Sequence, residues 1–232
     1  MDWQPIQKPA EIAESRLLEA ILSGSFPINS NLLGERDLAK QLGVTRPTLR
    51  EVLQRLARDG WLEIQQGKPT RVRDYWREGS MAVLVALARS SSHQSPDFVT
   101  HLLELRVLLA PAYTQQALKV ASPEIADLLE GHTSLGDTPS AFALADWDLH
   151  RLLTQRADNP VFRLLLNSFR ELYILMGEQY FSFSECRASS RAFYTELLNC
   201  ARNGSYCDAE SLTRCVMKES LSLWQKMQKE NP

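Results

Sequence analysis

Apolar positions recur at helical spacing over residues 9–23: Ala13, Leu17, Ala20 and Ile21 share one face, Pro9 suits a first turn, and Gly24 ends the run. A loop from Phe26-Pro27 to Gly34 follows. Leu38 and Leu42 then mark a short helix, and Leu49, Val52, Leu53 and Leu56 a second one. Between them lie a small residue, Ala39, a turn-forming Gly43, the N-cap candidate Thr45, and Pro47 in a first turn. The period then changes to two: residues 61–65 and 70–73 alternate as strands around a turn at Gln66-Gly67-Lys68-Pro69. From about Gly79 the alternation disappears and helical segments dominate. The pattern predicts a helix from about Pro96 to Val120 that tolerates Pro111. Further helices start near Pro123, Pro139, Asn159-Pro160 and Ser184, and a last one runs from about Asp208 to Gln228. Phe162, Leu165, Leu166, Phe169, Leu172 and Tyr173 form a stripe on one predicted helix, which reads as core or as a dimer seam.

The pattern predicts a mainly α protein. Residues 1–75 form a winged helix-turn-helix, 76–79 a linker, and 80–232 an all-α helical bundle large enough to hold a ligand cavity. Charge sharpens the picture. The 232 residues carry a net −2, yet residues 36–73 hold nine Lys/Arg against four acids, a local +5 that leaves −7 elsewhere. Such asymmetry marks a nucleic-acid footprint. No apolar run is long enough to span a membrane, and MDWQPIQKPAEIAES lacks a leader pattern, so a cytoplasmic location is expected. Cys186, Cys200, Cys207 and Cys215 have no metal-ribbon or redox spacing and are expected to be reduced, mostly buried thiols. There is no GxSxG, HExxH or GxGxxG, and the only Gly-Lys pair precedes Pro69, so no enzyme is expected.

The helix starting after Thr45 carries the binding chemistry. With its apolar register inward, Arg46, Thr48, Arg50 and Gln54 or Arg55 face outward, concentrated at the N-terminal end that meets base edges in a major groove. Arginine forks onto O6 and N7 of guanine, and threonine contacts phosphate or a thymine methyl. A hairpin directly after such a helix reads as a wing, with Gly67 permitting close approach and Lys68 free to meet phosphate. One recognition helix reads few base pairs, so a homodimer on a near-palindromic double-stranded operator is expected.

The run from Glu35-Arg36 through Leu-Gly43-Val-Thr-Arg46 to Thr48-Leu-Arg50-Glu, followed by the hairpin, resembles the GntR family of bacterial regulators. ThrLeuArgGluValLeuGlnArgLeuAlaArgAspGlyTrpLeu (48–62) and GlyLysProThr (67–70) resemble its fatty-acid-responsive FadR subfamily, as do Asp74-Tyr-Trp76, LeuLeu-x-x-Arg106 and Glu219-Ser220…Trp224…Lys229. The resemblance implies DNA contacts at Arg36, Thr45, Arg46, Thr48, Arg50, Gly67 and Lys68. Pro47 and Gln66 stand at contact positions where the subfamily typically has Thr and His, and Leu33-Gly34 replaces its usual Pro-Ser/Ala. Arg46 and Arg50 would read bases, Arg36 and Thr48 hold phosphates, and Lys68 anchor the wing. It further implies a repressor or activator of fatty-acid degradation and synthesis genes, with long-chain acyl-CoA as the effector that releases DNA. Arg106 would be a polar anchor, Ser220 and Trp224 (with Glu219) the ligand wall, and Lys229 a phosphate contact at the mouth. The alternative is a metal-containing effector domain of related GntR proteins that sense small carboxylates. Asp146 and His150, at i and i+4, suit one helix face for such a site. The two further histidines of those relatives correspond here to Tyr194 and Val216, while His93, His101 and His132 lie elsewhere. Asp146 and His150 therefore read as a hydrogen-bonded helix pair with no metal.

Overall fold

The computed structural model describes residues 8–89 and 97–230, in two compact units divided between residues 94 and 95. Pro96 and His93 lie outside the described residues. Helix α1 (Pro9–Leu22) buries Ala13, Leu17 and Ile21. It packs on α3 (Arg46–Asp59), which meets α2 (Glu35–Leu42) across a turn at Gly43. Gly43 takes the left-handed conformation, φ +73°, that a side chain would strain. Thr45 caps α3 by accepting from the Thr48 N–H at 3.3 Å, with Pro47 in the first turn. Leu38, Leu49, Val52, Leu53 and Leu56 are all buried, as their spacing predicted.

The hairpin is shorter than the alternation suggested. Strands β1 (Leu62–Glu63) and β2 (Arg71–Val72) pair antiparallel, Leu62 opposite Val72. The turn closes one residue earlier than predicted, Lys68 N–H donating to the Gln65 carbonyl at 3.2 Å with Gly67 at φ +75°. The loop at 29–32 adds a third edge: Asn29 N–H donates to Val72 O, Val72 N–H to Ser30 O, and Leu32 N–H to Thr70 O, at 2.8–2.9 Å. These bonds fix the wing against the loop that joins α1 to α2. Trp61 is fully buried and its ring lies 4.9 Å from that of Tyr75. Two helices that the sequence reading did not resolve follow, α4 (Tyr75–Glu78) and α5 (Met81–Arg89). The latter clusters with the first unit, whereas the sequence reading assigned its residues to the second domain.

The second unit is all helix: α6 (Phe98–His132), α7 (Pro139–Arg156), α8 (Pro160–Ser168), α9 (Arg170–Phe181), α10 (Ser184–Asn203) and α11 (Tyr206–Glu230). Helix α6 runs through Pro111 and kinks at Ala121, just before Pro123, where the sequence predicted a new helix. Proline removes a helical hydrogen bond and crowds the preceding turn, and the Ser122 hydroxyl takes up the Leu118 carbonyl there. The predicted helix after Pro160 is two helices, broken at Phe169 (φ −111°, ψ 12°), with neither Pro nor Gly to mark the break. Leu118, Ile125, Phe142, Leu149, Leu153, Phe193 and Leu197 form the heart of the core. Of the four free thiols, Cys186 is buried and Cys200 half-buried, but Cys207 and Cys215 are exposed. The expectation of mostly buried cysteines is corrected: the last two fall on the outward face of α11.

Candidate nucleic-acid interface and ligand cavity

In the first unit, Arg36, Thr45, Arg46, Pro47, Arg50, Gln66, Gly67 and Lys68 are all exposed, and Thr48 is half-buried beneath the cap. Arg46 and Arg50 lie one turn apart on the open face of α3. The Thr45 and Thr48 hydroxyls bond each other at 2.8 Å, which presents both at the helix start. Arg55 is different. Its guanidinium ties α1 to α3 through Glu14 (3.1 Å) and Glu51 (2.7 Å), so it is removed from the candidate reading face. The amide ends of α3, uncompensated by any acid in its first turn, add partial positive charge where the arginines stand.

The second unit contains a cavity of about 160 Å³, partly open to solvent and almost entirely apolar in its lining. The Phe162, Leu165, Leu166, Phe169, Leu172 and Tyr173 stripe lines it, together with residues of α6, α10 and α11. The stripe therefore faces a cavity within the unit, with Leu172 buried and Phe162 packed against the core. The break at Phe169 lets one stripe cover two differently directed walls. Arg106, Ser220 and Trp224 line the same space, whereas Glu219 and Lys229 are exposed on α11 and do not. The spacing of the last two predicted only that they share a helix with Ser220 and Trp224.

A buried polar network stands at one side of the cavity, and much of it was not read from sequence. Arg106 donates to Asp146 Oδ2 at 2.9 Å and to His150 Nε2 at 2.6 Å. Tyr173 donates to Asp146 Oδ2 at 2.6 Å and Tyr194 to Oδ1 at 3.0 Å, completing the carboxylate's shell. Since arginine cannot accept, His150 Nε2 is the acceptor, and Nδ1 carries the proton directed at the Tyr113 hydroxyl, 2.7 Å away. The expected bond between Asp146 and His150 is not formed: their nearest approach is 3.8 Å, and the guanidinium lies between them. Burial, reinforced by that guanidinium, pushes His150 down to about 3. Burial also works to raise the Asp146 carboxyl, but Arg106 and the Tyr173 hydroxyl override it and hold it at about 2. Arg106 itself is held firmly charged and lies over the Tyr173 ring at 5.1 Å. Where the metal-containing alternative needs a cation beside Asp146 and His150, this chain supplies a guanidinium. Among the described residues no three His, Cys, Asp or Glu side chains group to hold a metal ion. Arg106 Nε and Trp224 Nε1 are buried without a hydrogen-bond partner among the described residues, and both residues line the cavity. Tyr180 lines it too, its hydroxyl set beside Ser220 and Cys186. The signal that could have exposed the network was the placing of Tyr173 and Tyr194 at helical positions otherwise apolar.

Comparison with known proteins decides the family. Residues 9–72 match the model of bacterial regulatory proteins of the gntR family, and residues 73–232 match the FadR C-terminal domain. The chain belongs to the gntR family of bacterial regulatory proteins and carries a FadR-type C-terminal domain. It is a DNA-binding regulator and not an enzyme. It is 39% identical, over 96% of its length and 92% of the relative's, to the fatty acid metabolism regulator protein of Pasteurella multocida. It is 38% identical to that of Cronobacter sakazakii, over 97% and 95% of the two chains. Among solved structures it resembles Lar of Listeria monocytogenes, with a TM-score of 0.62 at 15% identity over 96% of this chain and 99% of that one, a likeness of fold. No helix among the described residues is long and apolar enough to cross a membrane.

Proposed function

We propose that this chain is a transcription regulator of fatty-acid metabolism genes. It binds a palindromic operator as a homodimer through Arg46, Arg50 and the Lys68 wing, and is released by long-chain acyl-CoA. The observation that carries the effector assignment is the cavity: an apolar space walled by α6, α8, α9 and α11, with Arg106 and Trp224 in its lining, each holding a buried donor without a partner among the described residues. An aliphatic chain satisfies the walls, and a carbonyl-bearing head satisfies the donors. The relatives' names, which assign them to fatty acid metabolism, support the same reading. In this reading residues 1–75 form a DNA-binding domain, 76–79 a linker and 80–232 an effector domain; the two family matches meet between residues 72 and 73, and the compact units divide between 94 and 95. Ligand occupancy acts as a population shift toward an arrangement whose two recognition helices no longer match both half-sites.

Fluorescence anisotropy of a labelled operator tests this. Micromolar oleoyl-CoA is expected to lower the affinity at least tenfold, and free CoA to leave it unchanged. An operator affinity indifferent to saturating acyl-CoA would refute the effector, and light scattering that finds monomers on DNA would refute the dimer.

A further inference from the structure

Helix α3 carries four arginines, and their partners sort them. Arg55 uses both terminal nitrogens on Glu14 and Glu51. Arg46 and Arg58 are exposed with no ion pair among the described residues. Arg50 is held at one point only: its Nε donates to Glu35 Oε2 at 2.8 Å, while its side chain stays 66% exposed. Its two terminal nitrogens make no hydrogen bond among the described residues. A guanidinium fastened at Nε keeps free the end that forks onto O6 and N7 of guanine. An exposed pair of this kind contributes little to stability, and a carboxylate beside a duplex repels phosphate. Its gain is orientation. The acid comes from the first turn of α2, a separate helix buttressed by buried Leu38 and Ala39, so it fixes the arginine from outside its own helix.

We propose that Glu35 is a positioning residue for base reading, which holds the Arg50 fork toward the groove and sets discrimination between base pairs instead of overall grip. The inference rests on the DNA-binding reading above. The full-length protein and its Glu35→Ala, Glu35→Gln and Arg50→Ala variants would each select sites from a random duplex pool. Affinities would then be measured for the selected site, its single-pair variants, the site with 7-deazaguanine, and an unrelated duplex. Arg50→Ala is expected to abolish the preference at one G·C pair per half-site. Glu35→Ala should reduce the preference at that same pair about 3–10-fold, as expected for releasing one long side chain. It should also blunt the penalty for 7-deazaguanine and strengthen binding to the unrelated duplex about twofold. Glu35→Gln keeps an acceptor for Nε and should retain most of the preference, with thermal midpoints of all variants within a few degrees. If both Glu35 variants tighten every duplex equally and leave the preference intact, the residue is a charge brake and the proposal is overturned. If the unmodified protein selects no site, the DNA-binding reading itself falls, and this inference with it.

Discussion

Replacing Arg106 by Met should convert a buried arginine site into a proton site. The substitution keeps an apolar stem but removes the cation that lies 2.9 Å from Asp146 and 2.6 Å from His150. Asp146 is then left with two tyrosine hydroxyls and no counter-ion. Breaking a buried pair this way costs roughly 3–5 kcal/mol, and the two surviving hydrogen bonds place the expectation near 3 at pH 7. The pH dependence carries the sharper signature. In the unmodified protein His150 is depressed to about 3 against an ordinary 6.5, so between these values the folded state binds one proton fewer than the unfolded state. The stability from this group is complete above pH 6.5 and is lost on acidification by about 1.4 kcal/mol per pH unit. Without the guanidinium, His150 faces Asp146 directly and holds a proton in the folded state. Its contribution to the slope below pH 6.5 then vanishes. The stability gap between the two proteins should therefore narrow from about 3 kcal/mol at pH 7 to about 1 at pH 5. Urea denaturation at pH 7, 6 and 5 measures the gap, and imidazole NMR measures the protonation. Parallel stability curves, or a His150 resonance in the unmodified protein that titrates near 6.5, would refute the reasoning.

Further outcomes follow from the same geometry. Thr45→Ala removes the acceptor for the Thr48 N–H and should lower stability by about 1 kcal/mol, visible as a fall of a few degrees in the midpoint of the first unit. Lys68→Ala should weaken all duplexes alike and reduce the salt-dependence slope by about one, whereas Arg50→Ala should cost about 1–3 kcal/mol at the specific site only. Leu165→Trp, which fills the cavity, should weaken acyl-CoA binding more than tenfold in titration calorimetry while leaving operator affinity intact. Equal losses of both would point to misfolding of the helical unit instead.

The DNA-binding half was legible because its constraints are local. Gly43 must turn left-handed, Thr45 must cap, and the register of Leu49, Val52, Leu53 and Leu56 leaves Arg46 and Arg50 to the outer face. What the sequence could not supply was the pairing of those arginines: Glu35 and Glu14 lie 15 and 41 residues from their partners, and only the folded chain brings them together. The second unit was less legible for a related reason. Helical periodicity reports which residues turn inward, not whether the interior is filled. The stripe from Phe162 to Tyr173 obeys the same spacing whether it meets other side chains or open space, and its break at Phe169 has no breaker residue. Likewise Asp146 and His150 share a helix face as predicted, but the partner that separates them, Arg106, is 40 residues upstream of Asp146.

The dimensions of the cavity have a consequence for dose response. Its 160 Å³ is close to that of an engineered void of about 150 Å³ that admits one benzene, far short of a sixteen-carbon tail. Burying such a tail along its whole length requires walls to part, and α8, which has no fully buried residue, is the wall with the least to lose. The half-saturating dose then scales inversely with the small fraction of molecules already ajar. Substitutions that merely stiffen α8, remote from any ligand atom, would raise that dose and leave the fully induced state unchanged.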